Sequence, residues 1–159
     1  MNKRVLLDRI IAHLAEELEL MTRAALATHA EATDDENKAE DKYDTRGLEA
    51  SYLAHGQSRA AEEAALAVAQ FRALPPRDFG PADPVSLGAL VTVDVRHQPS
   101  HYFVGPRAGG TEIQFDGLTV MVVTPQSPLG RQLVGKTEGA ALQLDLAGRK
   151  TEARIVRVA

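Results

Sequence analysis

Cysteine is absent from all 159 residues, which excludes disulfides, thiolate zinc sites and cysteine nucleophiles. Tryptophan is also absent and aromatics make up only 4% of the chain, so a core of large aromatic clusters is not expected. There is no run of about 18 apolar residues, hence no expected membrane-spanning helix. Met1-Asn2-Lys3-Arg4 opens like a signal peptide, but Asp8, Arg9, Glu16 and Glu17 follow without a cleavage pattern, and the expected compartment is the cytoplasm. The net charge of −4 argues against broad nonspecific binding of nucleic acid by the chain as a whole. Nucleotide-binding glycine motifs and hydrolase elbows are missing. His13, His29 and His55 are scattered, and Pro99 between His97 and His101 breaks the helical spacing that a metal pair needs. The histidines are therefore read as surface or packing residues, with no metal or cofactor held by the chain itself.

Proline is absent before Pro75-Pro76 and recurs after it. Two consecutive prolines stop a helix, so 75–84 reads as a linker between an α-helical first half, 1–74, and a β-rich second half, 85–159. In the first half, Leu7, Ile11, Leu14, Leu18, Met21, Ala25, Thr28 and Ala32 alternate at spacings of four and three. That is the a/d seam of a coiled coil. A second, weaker seam runs through Tyr43, Gly47, Ala50, Ala54, Gln57, Ala61, Ala64, Val68 and Phe71. Neither helix alone hides enough apolar surface, but two laid antiparallel cover both seams. The residue numbers of facing pairs such as Leu7 and Phe71, or Leu14 and Ala64, add to 78. The turn should centre near Ala39, with the tip at 36–42 and a reach of roughly 45 Å at about 1.5 Å per residue.

The second half reads as strands at Leu87–Val95, Ser100–Val104, Leu118–Val123, Leu142–Leu146 and Thr151–Val158, with a turn at Ala147-Gly148-Arg149. Ser127 as N-cap and Pro128 at the first helical position predict a short helix ending at Gly135. The expected class is α+β: an antiparallel helical hairpin, then an antiparallel sheet with one short helix.

At the expected tip, Asp34, Asp35, Glu36, Glu40, Asp41 and Asp44 fall within eleven residues. Such carboxylates repel one another unless solvent or a cation compensates. Two readings stay open: a solvated charged loop, or a donor of oxygen ligands to a Mg²⁺ held by a partner. Tyr43 either packs across the last turn or contacts that partner.

The stretch Val123-Thr124-Pro125-Gln126-Ser127-Pro128-Leu129-Gly130-Arg131-Gln132-Leu133-Val134-Gly135-Lys136 resembles the C-terminal signature of the bacterial Gre transcript-cleavage factors. Gly88-Ala89-Leu90-Val91-Thr92-Val93, Phe103-Val104-Gly105 and Glu152-Ala153-Arg154-Ile155-Val156 resemble strands of the same domain, and the length and order of parts agree. The resemblance implies an FKBP-like C-terminal domain that grips the rim of RNA polymerase's largest subunit. Gln126, Ser127, Pro128 and Leu129 map onto the gripping element. It also implies a hairpin passing down the secondary channel, where Glu40 and Asp41 would help hold the polymerase's Mg²⁺. Glu36, Asn37, Tyr43 and Asp44 would support the tip, and contact with transcript RNA would be indirect. The chain would be a monomeric accessory factor and not an enzyme. The tip departs from the familiar pattern, which has Asp and Glu three apart: Asn37 stands at the Asp position and Glu40 at the Glu position. Asn37 is neutral and a poorer ligand for a hard cation. Cleavage of backtracked transcripts and a non-cleaving role in the channel both stay open. Readings of another class are a coiled-coil interaction module and an FKBP-like chaperone. The scarcity of aromatics speaks against a prolyl-isomerase pocket, and the constant register speaks for closure within one chain.

Overall fold

The computed structural model describes residues 2–33, 46–146 and 148–159. Two long helices come first, α1 (Lys3–Thr33) and α2 (Arg46–Arg72). The Asn2 side chain caps α1, its oxygen accepting from the backbone N–H of Arg4 at 3.1 Å and of Val5 at 3.3 Å. A sheet of six strands follows: β1 (Leu90–Val95), β2 (Gln98–Val104), β3 (Glu112–Phe115), β4 (Leu118–Val123), β5 (Ala141–Leu146) and β6 (Arg149–Val158). A short helix, α3 (Pro128–Leu133), lies between β4 and β5 in the chain. The protein is α+β, as its halves predict.

The chain divides into two compact units. One is residues 12–69, the shaft of the hairpin; the other joins residues 1–11 to 70–159. Within the shaft, Leu14, Ala25, Ala54 and Val68 are buried, and Leu18, Thr28, Gln57, Ala61 and Ala64 are half-buried. These are seam residues, so the period of four and three marks the contact face. Among the described seam side chains of the shaft, Met21 is the exception, at 38% exposed. The Gln57 side-chain oxygen is buried without a hydrogen-bond partner among the described residues.

At the start of α1, Leu6 and Ile10 are fully buried, while the expected seam residues Leu7 and Ile11 are only half-buried. These residues belong to the unit that holds the sheet, so packing there, and not the helical seam, selects the face. Phe71 at the end of α2 is also fully buried, its ring stacked on Phe103 of β2 with centroids 6.2 Å apart. Gly105 makes room for it, because a Cβ there would lie 2.5 Å from the Phe71 ring.

The strand order is β3-β4-β2-β1-β6-β5. Four of the five pairings are antiparallel, but β2 and β4 run parallel, with His101 beside Val120 and Val104 beside Val123. This corrects the expectation of an antiparallel sheet throughout. The cause is β3, which the polar Glu112-Ile113-Gln114-Phe115 pattern concealed. It turns back at Asp116-Gly117, both with positive φ, and pairs with the outer side of β4, so β4 runs in the direction of β2. The main core joins Val91, Val93, Val104, Val123, Leu142, Leu144, Ala153 and Ile155 from the strands to Leu133 of α3 and to Phe79, Val85 and Ala89.

The segment 75–84 has no helix or strand, yet Phe79 belongs to that core and is 8% exposed. The Lys3 ammonium lies 4.5 Å from the Phe79 ring centre and the Arg77 guanidinium 4.7 Å. Lys3 also donates to the Arg77 carbonyl. Desolvation holds the Lys3 pKa below its usual 10.5; the Asp78 carboxylate opposes that shift, and Arg77 adds to it.

Candidate partner-binding site

The loop from Thr124 to Gly130 is held by its own backbone. The Ser127 N–H donates to the Thr124 carbonyl at 3.0 Å, and the Ser127 hydroxyl donates to the same oxygen at 2.8 Å. The hydroxyl in turn accepts from the Gly130 N–H at 3.0 Å, capping α3 as the Ser-Pro pair predicts. Pro128 fits the first helical turn because its missing N–H would have had no partner there. Gly130 is buried, and a Cβ on it would stand 1.8 Å from the Thr124 carbonyl oxygen. Only glycine lets the loop close this tightly.

The far end of α3 is also tied down. Gly135, at φ 82°, donates to the Val85 carbonyl at 2.9 Å, and the Val85 N–H donates to the Lys136 carbonyl at 2.8 Å. The Gln132 side chain accepts from the Gln143 N–H of β5 at 3.2 Å. Leu133 anchors the helix in the core and Leu129 packs against it. The result is a rigid knuckle with Gln126 and Pro128 exposed at its crest and the Arg131 side chain exposed beside them. It can offer shape, one side-chain amide and a cation to a protein surface.

The structure thus brings together Gln126, Ser127, Pro128 and Leu129, which the sequence singled out. Thr124, Gly130 and Gln132 were named within the motif but given no role of their own. A glycine three residues after an N-cap serine was the available signal for Gly130. The tip residues Glu36, Asn37, Glu40, Asp41, Tyr43 and Asp44 lie outside the described residues. Among the described residues, no group of three His, Asp or Glu side chains could hold a metal ion. His101 hydrogen-bonds the Thr92 hydroxyl at 3.1 Å. His97 sits with Arg96 in a tight turn of positive φ, its N–H donating to Asp94 at 2.7 Å. An open groove of about 300 Å³ beside this turn is lined by Asp94, Arg96, Glu152 and Arg154, whose charges balance. No helix among the described residues is long and apolar enough to cross a membrane.

No family model matches the chain, and neither does any curated protein. Among solved structures, the chain is similar to the GreA factor homolog 1 (Gfh1) protein of Thermus thermophilus, at 19% identity over 94% of each chain with a TM-score of 0.38. It is also similar to Thermus aquaticus Gfh1, at 18% identity over 92% of each chain with a TM-score of 0.41. A third similar structure is the prokaryotic transcription elongation factor GreA/GreB from Nitrosomonas europaea, at 17% identity over 70% of this chain and 91% of that one, with a TM-score of 0.34.

Proposed function

We propose that this chain is a Gre-like accessory factor that grips RNA polymerase with the Ser127–Pro128 knuckle and carries its hairpin tip into the secondary channel. The observation that carries this reading is the knuckle itself. Its sequence is the stretch that resembles the Gre signature, and its hydrogen bonds use Thr124, Ser127 and Gly130 to hold Gln126 and Pro128 out toward a partner. The helical seam supports the second half of the reading, since it builds a thin shaft of small residues such as Ala25 and Ala54.

At the tip, Glu40 and Asp41 would add carboxylate oxygens to a Mg²⁺ that the polymerase holds, with Glu36 and Asp44 nearby in sequence. The polymerase would then cleave a backtracked transcript, and the chain itself would hold no metal. A specific feature favours a second reading. Asn37 replaces the usual Asp, so the tip has one hard ligand fewer and would serve a regulator that occupies the channel without promoting cleavage.

A stalled, backtracked complex of polymerase decides between them. Faster transcript shortening on adding the protein, lost in Glu40→Ala/Asp41→Ala, is the expected result of the cleavage reading. No acceleration, together with displacement of a known Gre factor, supports the non-cleaving regulator. Failure of both overturns the channel reading altogether.

A further inference from the structure

A cavity of about 290 Å³ lies on the sheet face turned away from α3. Leu90 and Thr92 line it, and along β1 they alternate with Val91 and Val93, which share the main core with Leu133 of α3. Buried Leu90 and exposed Leu118 of β4 give the cavity apolar walls. Ala159 closes one end, tied to Leu90 by backbone hydrogen bonds of 2.8 and 2.9 Å. A polar row crosses three adjacent strands in register: Arg157 of β6, Thr92 of β1 and His101 of β2. Asp116, in the turn before β4, stands on the far side of the row from Arg157.

The two sides offer opposite chemistry. The Thr92 hydroxyl holds Nδ1 of His101 at 3.1 Å. When that hydroxyl donates, the ring proton sits on Nε2, the form that can give a hydrogen bond to a carboxylate. The Arg157 guanidinium adds a fork of donors for the same anion. Asp116 is an acceptor for an ammonium. Neither Arg157 nor Asp116 has an ion-pair partner among the described residues.

The spacing narrows the ligand. Three strand spacings separate the backbones of β6 and β4, about 14 Å at about 4.8 Å each, and the two side chains shorten that span from either end. A free α-amino acid carries both charges on one carbon, too close together to meet both groups. An extended dipeptide spreads them over about 7 Å. A nucleotide would bring several negative charges to one guanidinium with Asp116 nearby. The volume also sits at the small end of ligand sites, about 300–1,000 Å³. We infer that this cavity binds a dipeptide with apolar side chains, its carboxylate on Arg157 and His101, its ammonium on Asp116 and its side chains against Leu90 and Leu118. The inference stands apart from the proposed function and survives or fails without it.

The test titrates the full, isotope-labelled chain with the dipeptide alanylleucine to about 10 mM, read as amide shifts in NMR spectra. Saturating shifts centred on Leu90, Thr92, His101, Leu118 and Arg157 are expected. The N-acetylated dipeptide, the dipeptide amide and free leucine should each bind about tenfold more weakly, since each loses one charged contact. Arg157→Gln should weaken the dipeptide about tenfold and bring it level with its amide. Asp116→Asn should bring the dipeptide level with its acetylated form; asparagine tolerates the positive φ of that turn, so the fold is kept. Unchanged shifts elsewhere in the spectrum report intact folding of both variants. No saturating shift at these residues overturns the site. Equal binding of the blocked dipeptides by the wild type overturns the two charge contacts. Tighter binding of adenosine monophosphate at the same residues overturns the dipeptide as occupant.

Discussion

Replacing Gly130 with alanine tests the knuckle most directly. The added Cβ would sit 1.8 Å from the Thr124 carbonyl oxygen, 2.7 Å from its carbon and 2.9 Å from the Ser127 hydroxyl oxygen. A carbon and an oxygen need more than 3 Å between them, so the loop must open by about 1 Å or more. The Thr124 oxygen accepts both the Ser127 N–H and its hydroxyl, and both bonds weaken as it moves. Losing the cap costs about 1 kcal/mol, and overpacking adds about 1–3 kcal/mol. The expected loss is then about 2–4 kcal/mol, or a fall in Tm of about 6–12 °C for a chain of this size. Ser127→Ala alone should cost about 1 kcal/mol, since it removes the cap without the clash. The double variant should cost less than the sum, because one of the three clashing atoms is gone. Differential scanning calorimetry measures all three. A Gly130→Ala protein melting within about 1 °C of wild type would refute the proposed closure of the loop.

Gln57→Leu should stabilise the shaft by about 1 kcal/mol, because it replaces a buried oxygen without a partner by apolar surface; a loss of helicity on heating at or below the wild-type temperature speaks against this. Phe71→Ala should destabilise the sheet unit by about 3–5 kcal/mol in chemical denaturation, since the ring is fully buried against Phe103 and fills the space over Gly105. Lys3 should titrate below 10.5 by NMR at its side-chain carbons. Between its depressed folded pKa and 10.5, the unfolded chain binds the extra proton, so the Lys3 contribution to stability rises with pH through that window; the opposite slope relative to Lys3→Met contradicts the desolvation.

Much of the architecture could be read from the residues, because it follows from periodicities that depend on local geometry. Leu14, Ala25, Ala54 and Val68 are buried at the predicted seam positions, and Ser127-Pro128 starts the helix it was expected to start. The errors arise where a distant part of the chain decides. Leu6 and Ile10 displace Leu7 and Ile11 because packing with the sheet unit, not helical spacing, chooses the face. The strand at Glu112–Phe115 was missed because an edge strand needs little apolar surface, although Asp116-Gly117 between Phe115 and Leu118 was a legible hairpin turn. Parallel pairing of β2 with β4 depends on that strand and was lost with it. At the candidate site, Gln126 to Leu129 were singled out through a family resemblance, whereas the part played by Gly130 emerged only from a distance between two backbone segments.

The place of β1 between β2 and β6 bears on how the protein is made. β1 and β2 can pair as soon as they leave the ribosome, but the other neighbour of β1 is the last strand of the sheet. More than fifty residues separate the end of β1 from the start of β6, roughly 3–10 s of synthesis at about 5–20 residues per second. For that interval the β1 edge, with Val91 and Val93, stays unpaired. A nascent chain stalled before β6 is therefore the form most exposed to chaperones and to pairing with other strands.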